Sequence, residues 1–326
     1  MSNTTIDYPY TGNFSTVENE YLYKTYYGKG VQFELLFTPI IYFTCMLVSY
    51  GGNAVVIIAT ISNKNLHGSY NFLLCMVCLG DMMHLSTHWL YLGNMATGNN
   101  FIPYKYCFYA DCFFQVGATL SITMTFFVGI DRLIGVSMPT TYRGLNVYMY
   151  DGFFLFIALA FSALVFVLGL QHSWGPFGEE PIQCRIIDSF GGAAGAVWFR
   201  MCVILNLLDI FVYTAVWILI KKKAGTSDAM RKVFKSLVVI MITVVVGWML
   251  DAFVEAILLP YGNIPISHWY YYESVFGIFI NLASASNVFV MYFFSAEYQL
   301  TIQRLFKMKG SVSGKAGMVT SSNIQI

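Results

Sequence analysis

The sequence predicts an all-α integral membrane protein, a seven-transmembrane helix bundle with a short amphipathic helix after the seventh span. Hydrophobic residues make up 57% of the chain and charged residues only 11%, whereas a soluble domain carries about a quarter charged residues. The aromatic share of 17% is typical of a membrane protein with aromatic belts at both interfaces. The formal charge of +1 is not concentrated in a basic, aromatic-interleaved patch, so no nucleic-acid partner is expected.

Seven apolar runs in the sequence are long enough to cross a membrane. A bilayer core about 30 Å thick requires roughly 20 apolar helical residues for one crossing. The runs are Phe37–Ile61, Tyr70–Tyr91, Cys107–Val136, Gly152–Leu170, Val197–Ile220, Val233–Leu259 and Ser274–Phe294. Because the loops between them are short, consecutive helices are expected to pack as neighbours in one bundle within the lipid bilayer.

The distribution of basic residues predicts the orientation of the bundle. With the N-terminus outside, thirteen Lys and Arg residues fall on the cytoplasmic side and five outside, in agreement with the positive-inside rule. The glycosylation motifs at Asn3 and Asn13 both lie in the N-terminal tail, and glycosylation requires the lumenal side. We therefore expect a multi-pass plasma-membrane protein with an extracellular N-terminus and a cytoplasmic C-terminus.

Four regions follow from this topology. After the seventh span, Leu300, Ile302, Leu305 and Phe306 lie among charged and amide side chains, a pattern typical of an amphipathic helix on a membrane surface. The tail beyond it is rich in Ser and Gly, a composition that favours disorder. The predicted regions are a glycosylated extracellular tail at 1–34, a seven-helix domain at 35–294, the amphipathic helix at 295–309 and a disordered cytoplasmic tail at 310–326.

Two of the seven cysteines are expected to form a disulfide. Cys107 begins the third span on its outer side, and Cys184 lies in the loop after the fourth. Both face an oxidising compartment, where disulfides form and persist. Cys112, about one turn deeper, is a competing partner, and free thiols are the remaining alternative.

Polar and charged residues inside the spans are the first candidates for function, because such groups are costly in a membrane. Asp81 lies in the middle of the second span, with Asn53 and Asn287 at matching depths in the first and seventh. Asp131-Arg132 ends the third span at the cytoplasmic face. Structural roles are the alternative: Asn53 could bond a neighbouring helix, and Arg132 could reach lipid headgroups.

Short motifs surround these residues. They are Gly52-Asn53, Leu79-Gly80-Asp81, Asp131-Arg132-Leu133, Trp248 and Asn287-Val288-Phe289-Val290-Met291-Tyr292. Together they resemble the signature positions of the rhodopsin-like G-protein-coupled receptors, over residues 35–307. The spacing of 25 residues from Cys107 to Arg132 is also that of the family. Ser295-Ala296-Glu297-Tyr298 resembles the nematode serpentine chemoreceptors of the Srsx class.

The resemblance implies a receptor that converts binding of an extracellular peptide or chemical cue into activation of a heterotrimeric G protein. It implies that Asp131 holds Arg132 in the resting state and that Arg132 contacts the G protein after activation. Trp248, Asn287 and Tyr292 are implied to take part in the conformational change.

The chain departs from the family pattern where the helices usually bend. Val288 follows Asn287 in place of Pro, and Leu250 stands where a Pro usually follows the Trp. Proline frees backbone groups and lets a helix bend, so the switching movement is expected to differ. The usual acidic partner of the Arg is Met230 here, with Asp228 two residues earlier. A weak resting lock, and hence appreciable ligand-independent activity, is therefore predicted.

A polar network is predicted in the middle of the bundle. Its members are Asn53, Asp81, Ser121, Ser284 and Asn287. Oxygen ligands around one carboxylate suit a small hard cation, so Asp81 is predicted to hold either a sodium ion or a water-filled network. Ala283 occupies one position that binds sodium in the family. No other cofactor is expected.

The ligand pocket is expected in the outer half of the bundle. Eighteen residues before Arg132, where amine receptors have their anchoring Asp, this chain has Phe114, and Asp111 lies one turn higher. This argues against a typical monoamine receptor, although both residues remain pocket candidates.

Acidic residues in the later spans are further pocket candidates. Asp251 and Glu255 lie one turn apart above the Trp of the sixth span and share a helix face, and Asp209 lies in the fifth span. We predict that Asp251 and Glu255 receive a cationic ligand group, such as a basic peptide side chain. The alternative is that they pair with Arg185 or Arg200, since intramembrane charges usually pair.

His84 and His88 lie one turn apart in the second span, a spacing that can bind metal. Without further ligands in the sequence, packing or a polar contact is the favoured interpretation. The alternative function classes are a ligand-gated seven-helix chemosensory ion channel, whose N-terminus commonly lies inside, and a membrane enzyme. The sequence contains no nucleotide loop, nucleophile elbow or metalloprotease motif, so no enzymatic activity is predicted.

Overall fold

Helices form nearly all of the regular structure in the computed structural model, which describes residues 9–222, 239 and 246–307. In chain order they are α1 (Val17–Tyr26), α2 (Phe33–Ser62), α3 (Ser69–Leu85), α4 (Thr87–Thr97), α5 (Tyr104–Ser137), α6 (Pro139–Arg143), α7 (Val147–Ser173), α8 (Ile186–Ser189), α9 (Gly192–Lys222), α10 (246–261), α11 (Trp269–Ala285), α12 (Asn287–Phe294) and α13 (Ala296–Leu305). Two short strands, β1 (Ile102–Pro103) and β2 (Pro181–Ile182), pair antiparallel.

Five stretches of the described chain are long and apolar enough to cross a membrane. They are α2, α5, α7, α9 and Ile266–Phe294, which contains α11 and α12. The helices α2, α5, α7 and α9 each extend beyond the corresponding predicted run by a few residues at both ends. The polar residues at these ends still complete helical turns. The prediction of a helical membrane protein is confirmed at this level.

The second predicted span, Tyr70–Tyr91, is not one continuous helix. It is divided at Ser86 into α3 and α4, and α4 continues to Thr97 before Gly98 ends it at φ +75°. The Ser86 hydroxyl donates to the carbonyl of Met82 at 2.8 Å, and the Ser86 N–H bonds three residues back instead of four. A serine hydroxyl bonded to the preceding turn competes with the helical ladder and bends the helix.

The seventh predicted span is divided in the same manner. Ser286 separates α11 from α12, and both its N–H and its hydroxyl donate to the carbonyl of Ala283, at 3.0 and 2.7 Å. The helix therefore breaks directly before Asn287 although Val288 replaces the usual proline. Ser286 therefore interrupts the helix at the place where rhodopsin-like receptors normally have a proline.

The sixth predicted span, Val233–Leu259, lies largely outside the described residues. Within it the structure describes residue 239 and α10, which contains a π-helical turn at Val254–Leu258 and a last turn at Leu259–Tyr261. Other sequence predictions also fall outside the described residues. They are the glycosylation site at Asn3, the residues Asp228 and Met230, and the tail at 310–326.

Two glycines bring α3 and α5 into backbone contact at the centre of the bundle. A Cβ atom on Gly80 would lie 2.7 Å from the Ser121 nitrogen, and one on Gly117 would lie 2.6 Å from the His84 nitrogen. Any larger side chain would therefore force the two helices apart. This close approach brings the polar side chains of α3 and α5 next to each other.

The two ends of the bundle carry different structures. The disulfide end, named for Cys107 and Cys184, carries α1, the β1–β2 pair and α8. The Thr16 hydroxyl begins α1 by accepting a hydrogen bond from the Asn19 N–H at 3.1 Å, a favourable N-cap. The opposite Arg132 end carries α6 and α13. In α13, Tyr298 is buried and shares a 2.7 Å hydrogen bond with Thr60 of α2.

Candidate functional site

A charged lock closes the Arg132 end of α5. The Arg132 guanidinium donates to the Asp131 carboxylate at 2.5 and 2.9 Å, and Asp131 is fully buried. The Tyr142 hydroxyl of α6 donates to the same carboxylate at 2.8 Å and accepts from Arg132 at 3.2 Å. The guanidinium also lies 4.4 Å from the centre of the Tyr70 ring. The predicted Asp131–Arg132 contact is therefore present, and two tyrosines that the sequence reasoning missed extend it.

The polar network in the middle of the bundle is centred on Asp81. One carboxylate oxygen accepts from the Ser121 hydroxyl at 2.6 Å and the other from the Asn287 amide at 2.7 Å. The Asn287 amide also donates to Asn53 at 3.0 Å. The carbonyl of Ser284 accepts from the Asn53 amide at 3.2 Å. The five residues that were expected to be neighbours thus meet at one point, where α2, α3, α5, α11 and α12 converge.

A cavity opens between the polar network and the disulfide end. It encloses about 690 Å³ of empty space, including the part open to solvent. Its lining is mainly aromatic and carries a few polar groups. The lining includes Tyr42, His84, His88, Tyr91, Arg185, Phe190, Trp198, Trp248, Asp251, Glu273, Ser274 and Asn281.

Trp248 of α10 forms part of the cavity wall. Its ring lies 5.4 Å from that of Trp198 in an edge-on contact and 6.0 Å from the His84 imidazole in a stacked one. His84 belongs to α3, which also carries Asp81 one turn earlier. Trp248 is therefore connected to the polar network through His84 and Asp81, which lie about one turn apart on α3.

Asp251 is the acidic side chain of the cavity that makes no hydrogen bond or ion pair with any described residue. It is 8% exposed and lies one turn from Trp248 on the same helix. No described ion pair joins Asp251 or Glu255 to Arg185 or Arg200, the alternative partners; Arg185 lies within ion-pair distance of Glu18, Asp188 and Glu273 instead. An acidic group that is buried without a partner carries a free-energy cost that a cationic ligand would remove.

Arg185 joins three parts of the chain at the disulfide end. Its guanidinium lies 3.3 Å from Glu18 of α1, 2.8 Å from Asp188 of α8 and 2.8 Å from Glu273 of α11. Burial opposes the charged form of Arg185, but these carboxylates outweigh it and raise the pKa well above its ordinary value. The guanidinium also lies 5.7 Å from the centre of the Tyr270 ring.

Four predicted pocket residues do not line the cavity. Asp111 accepts a hydrogen bond from Thr87 at 3.0 Å and lies beside the disulfide. Phe114 faces a separate groove between α4 and α5. Asp209 is fully buried, with no hydrogen-bond partner among the described residues, and Glu255 is also outside the lining.

The corrections for Asp111 and Phe114 concern the whole of α5, since none of its residues lines the cavity. Phe114 faces the groove toward α4, and Gln115, rotated by about 100° from it, bonds Ser189 at 2.8 and 3.0 Å. A spacing counted from the Arg gives depth along a helix. It does not give the face that meets the cavity.

Several cavity residues were missed or underrated. His84 and His88 were expected to pack or make polar contacts, and both line the cavity with unpartnered Nδ1 atoms. His88 Nε2 lies 2.6 Å from the Asn281 amide oxygen. Glu273 and Asn281 were not predicted at all. Asn281 could have been identified by its polarity within the apolar seventh run, whereas Glu273 lies directly before that run.

The described residues provide little for a metal site at the histidines. The one group of three potential ligands within reach of each other is Cys107, Asp111 and Cys184, and its two sulfurs are joined to each other. The predicted Cys107–Cys184 disulfide is thus present, whereas the competing Cys112 is a free thiol.

A cavity at one end and a charged lock at the other, with buried polar residues between them, are the parts of a helical membrane receptor. Residues 46–306 match the family model of the serpentine type 7TM GPCR chemoreceptor Srsx. The chain belongs to that family and is a G-protein-coupled receptor. Such a receptor acts with a G protein and a ligand, and the match favours this class over the ion-channel and enzyme alternatives.

Relatives with a known name support the same class. Human trace amine-associated receptor 9 is 23% identical, with 94% of this chain and 92% of that protein covered. The mouse protein of the same name is 24% identical over 86% of this chain and 85% of its own length. The similarity therefore extends over nearly the whole receptor and is not confined to the short motifs.

Proposed function

We propose that the chain crosses the plasma membrane seven times, with the disulfide end outside and the Arg132 end in the cytoplasm. The two further spans are α3 with α4 and the predicted sixth run, Val233–Leu259, of which α10 is the main described part. Support comes from the basic residues Lys221 and Lys222 at the end of α9 and from the Asn13 glycosylation motif beyond the disulfide end. In this orientation residues 1–34 are extracellular, 35–294 span the membrane, and 295–309 lie along its inner surface ahead of the cytoplasmic tail at 310–326.

The receptor responds to an extracellular small molecule that carries a cationic group, and Asp251 is the anchor for that group. The observation that carries this proposal is the absence of any hydrogen bond or ion pair to Asp251 among the described residues, although it is buried in the cavity wall. An ionised carboxylate that is buried without a partner is costly, and pairing with a cation reduces that cost. A ligand cation would provide the missing partner.

The aromatic lining of the cavity favours the same ligand class. Trp198 and Phe190 stack with ring centres 4.4 Å apart, and Trp248 contacts Trp198 edge-on. Cations are attracted to the faces of aromatic rings, and most strongly to tryptophan. The name of the related trace amine-associated receptors agrees with an organic amine as ligand. The anchor differs from that of typical amine receptors, because Phe114 stands at their anchoring position.

Activation would pass from the cavity to the cytoplasm through Trp248 and the Asp81 network. A ligand that binds one arrangement of α10 more tightly shifts the population toward that arrangement. Release of Arg132 from Asp131 and Tyr142 would then expose the guanidinium to a heterotrimeric G protein. Asn287 and Tyr292, at the two ends of α12, would move with the break at Ser286.

We also propose a sodium ion at Asp81 in the resting receptor. The carboxylate and the Ser121 hydroxyl are hard oxygen donors, the type that such a cation takes. Each carboxylate oxygen accepts one hydrogen bond from the described side chains, which leaves a lone pair on each for the ion. The donor chemistry therefore fits, although Ala283 provides no side-chain oxygen.

A G-protein dissociation assay in cells tests the coupling and the anchor together. Wild type is compared with Arg132→Ala and Asp251→Asn at equal surface expression, against a library of small amines and basic peptides. We expect an amine response that Arg132→Ala abolishes and that Asp251→Asn shifts to at least tenfold higher concentration, since a hydrogen-bonded ion pair contributes about 1.5 kcal/mol or more.

Glu255→Gln is the matched control, because it removes an acid one turn from Asp251 that does not line the cavity. Its concentration–response curve should overlie that of wild type. An equal shift in both variants would mean that general electrostatics, and not an anchor, determines potency. A response only to peptides would refute the small-molecule assignment.

A further inference from the structure

The N-terminal helix α1 lies at the disulfide end, where it contacts two residues of the cavity wall, Tyr91 and Arg185. Leu22 and Tyr23 are 3% and 2% exposed. Leu22 packs in one apolar cluster with Leu35, Met95 and Tyr91, and Tyr91 is also part of the cavity wall. This segment is therefore packed onto the bundle.

Two polar contacts hold α1 in this position. Glu18 reaches Arg185, which is itself a cavity residue and also contacts Glu273 of α11. Glu180, beside β2, accepts three hydrogen bonds from the N-terminal segment: from the Ser15 N–H at 3.1 Å, the Ser15 hydroxyl at 2.9 Å and the Asn19 amide at 2.9 Å. Glu180 is 1% exposed, and its burial raises the pKa of its carboxyl.

The three carboxylates that contact Arg185 belong to different parts of the chain. Asp188 belongs to the same loop and Glu273 to a membrane helix, so these two fix the guanidinium at the mouth of the cavity. Glu18 alone belongs to α1. Loss of Glu18 would leave Arg185 with two carboxylate partners, so the loop would stay in position while α1 lost its ionic contact. Glu18–Arg185 is therefore the ionic contact that joins α1 to the cavity wall, beside the hydrogen bonds of Ser15 and Asn19 to Glu180.

We propose that α1 is a lid over the ligand cavity and that the Glu18–Arg185 contact holds it closed. This rests on the proposed function in taking the cavity as the ligand site. The ligand is then a small molecule that is enclosed when the lid closes, and the Glu18–Arg185 contact governs how fast it enters and leaves. A peptide too long to fit beneath α1 is excluded from this site while the lid is closed.

Access to the cavity can be measured without knowing the ligand. Ser274 lines the cavity, is 5% exposed and has an unpartnered hydroxyl, so Ser274→Cys introduces a thiol below the lid with little change in volume. The full chain in cell membranes is treated with 2-aminoethyl methanethiosulfonate, a small cationic thiol reagent. The modification rate is read by mass spectrometry of the peptide that contains position 274, so the native cysteines do not interfere.

The rate is compared in three backgrounds: the native lid, Glu18→Gln and Glu20→Gln. Glu20 lies on the same helix but is exposed and pairs with Lys24 at 2.5 Å, so its replacement removes the same charge without touching the Glu18–Arg185 contact. We expect Glu18→Gln to accelerate the reaction about tenfold, the scale of one lost charged hydrogen bond, and Glu20→Gln to leave it unchanged. Equal rates in the Glu18→Gln and Glu20→Gln backgrounds, whether fast or slow, would overturn the lid.

The result is independent of the ligand proposal. The thiol reaction requires neither an agonist nor a G protein, so a faster rate in Glu18→Gln supports the lid even if no amine activates the receptor. Conversely, an amine response that depends on Asp251, together with equal thiol rates, would retain the anchor and refute the lid.

Discussion

Tyr142→Phe is predicted to raise the ligand-independent activity of the receptor. The hydroxyl of Tyr142 makes two contacts within the lock, at 2.8 Å to Asp131 and 3.2 Å to Arg132. The substitution removes both and leaves the ring in place. The carboxylate of Asp131 then has Arg132 as its one remaining side-chain partner among the described residues.

The size of the effect follows from these contacts. A hydrogen bond to a charged group contributes about 1.5–3 kcal/mol when buried. The Arg132 side chain is 21% exposed, and water can replace part of what is lost, so about 1–2 kcal/mol of resting-state stability is expected to disappear. A change of one or two kcal/mol corresponds to a factor of about 5–30 in a two-state ratio. Basal activity should rise by a similar factor while it remains far from saturation.

The assay is ligand-free G-protein dissociation by resonance energy transfer, at matched surface expression. Tyr148→Phe is the control, because that side chain lies near Tyr142 in sequence but is 91% exposed and outside the lock. A basal signal in Tyr142→Phe equal to or below that of both wild type and Tyr148→Phe would refute the proposed restraint on Arg132.

Three further predictions concern packing, the disulfide and the sodium site. Gly117→Ala should lower the Tm of the purified receptor by several degrees, because the new Cβ would lie 2.6 Å from a backbone nitrogen of α3. The control Gly152→Ala, where the added Cβ meets open space, should leave the Tm unchanged. Equal Tm values for the two variants would contradict the backbone contact. Cys184→Ser should strongly reduce surface delivery and ligand response by releasing the loop from Cys107, as flow cytometry would detect; normal delivery and potency would show the bond to be dispensable. Asp81→Asn should abolish any effect of replacing sodium by choline on agonist affinity, and a sodium effect that survives in this variant would exclude the site.

The parts of the site that follow from residue type and local spacing were predictable from the sequence. Asp131 and Arg132 are adjacent, so their contact required no knowledge of the tertiary fold. Asp81, Asn53 and Asn287 were recognised because a polar group at the middle of an apolar span must find a partner. Their meeting point follows from the matching depths of their spans.

The cavity lining was not predictable in this manner. The wall depends on which face of each helix turns inward, and that depends on helix breaks at Ser86 and Ser286 that leave no proline or glycine signal. Phe114 was misplaced because its depth was inferred without its face. His88 follows the break at Ser86 and Glu273 lies near the start of α11, and only the three-dimensional packing brings both into the cavity wall.

The contacts of the lid and the lock were missed for a related reason. Glu18 and Arg185 are 167 residues apart in sequence, and Tyr142 reaches the lock because α6 folds back against α5. Nothing in either local sequence identifies the partner. Long-range contacts between loops require the coordinates.

Ligand binding to purified receptor tests the central claim, that the cavity takes a cationic group at Asp251, without depending on signalling. The measurement is the Tm of wild type and Asp251→Asn with small organic amines and with neutral isosteres of each. A ligand that binds the folded state stabilises it by about 2.7 kcal/mol at one hundred times its Kd. We predict that at least one amine raises the Tm of wild type, that its neutral isostere does not, and that Asp251→Asn loses the increase. An amine that stabilises both proteins equally, or a neutral isostere that binds as well as the amine, would contradict the account.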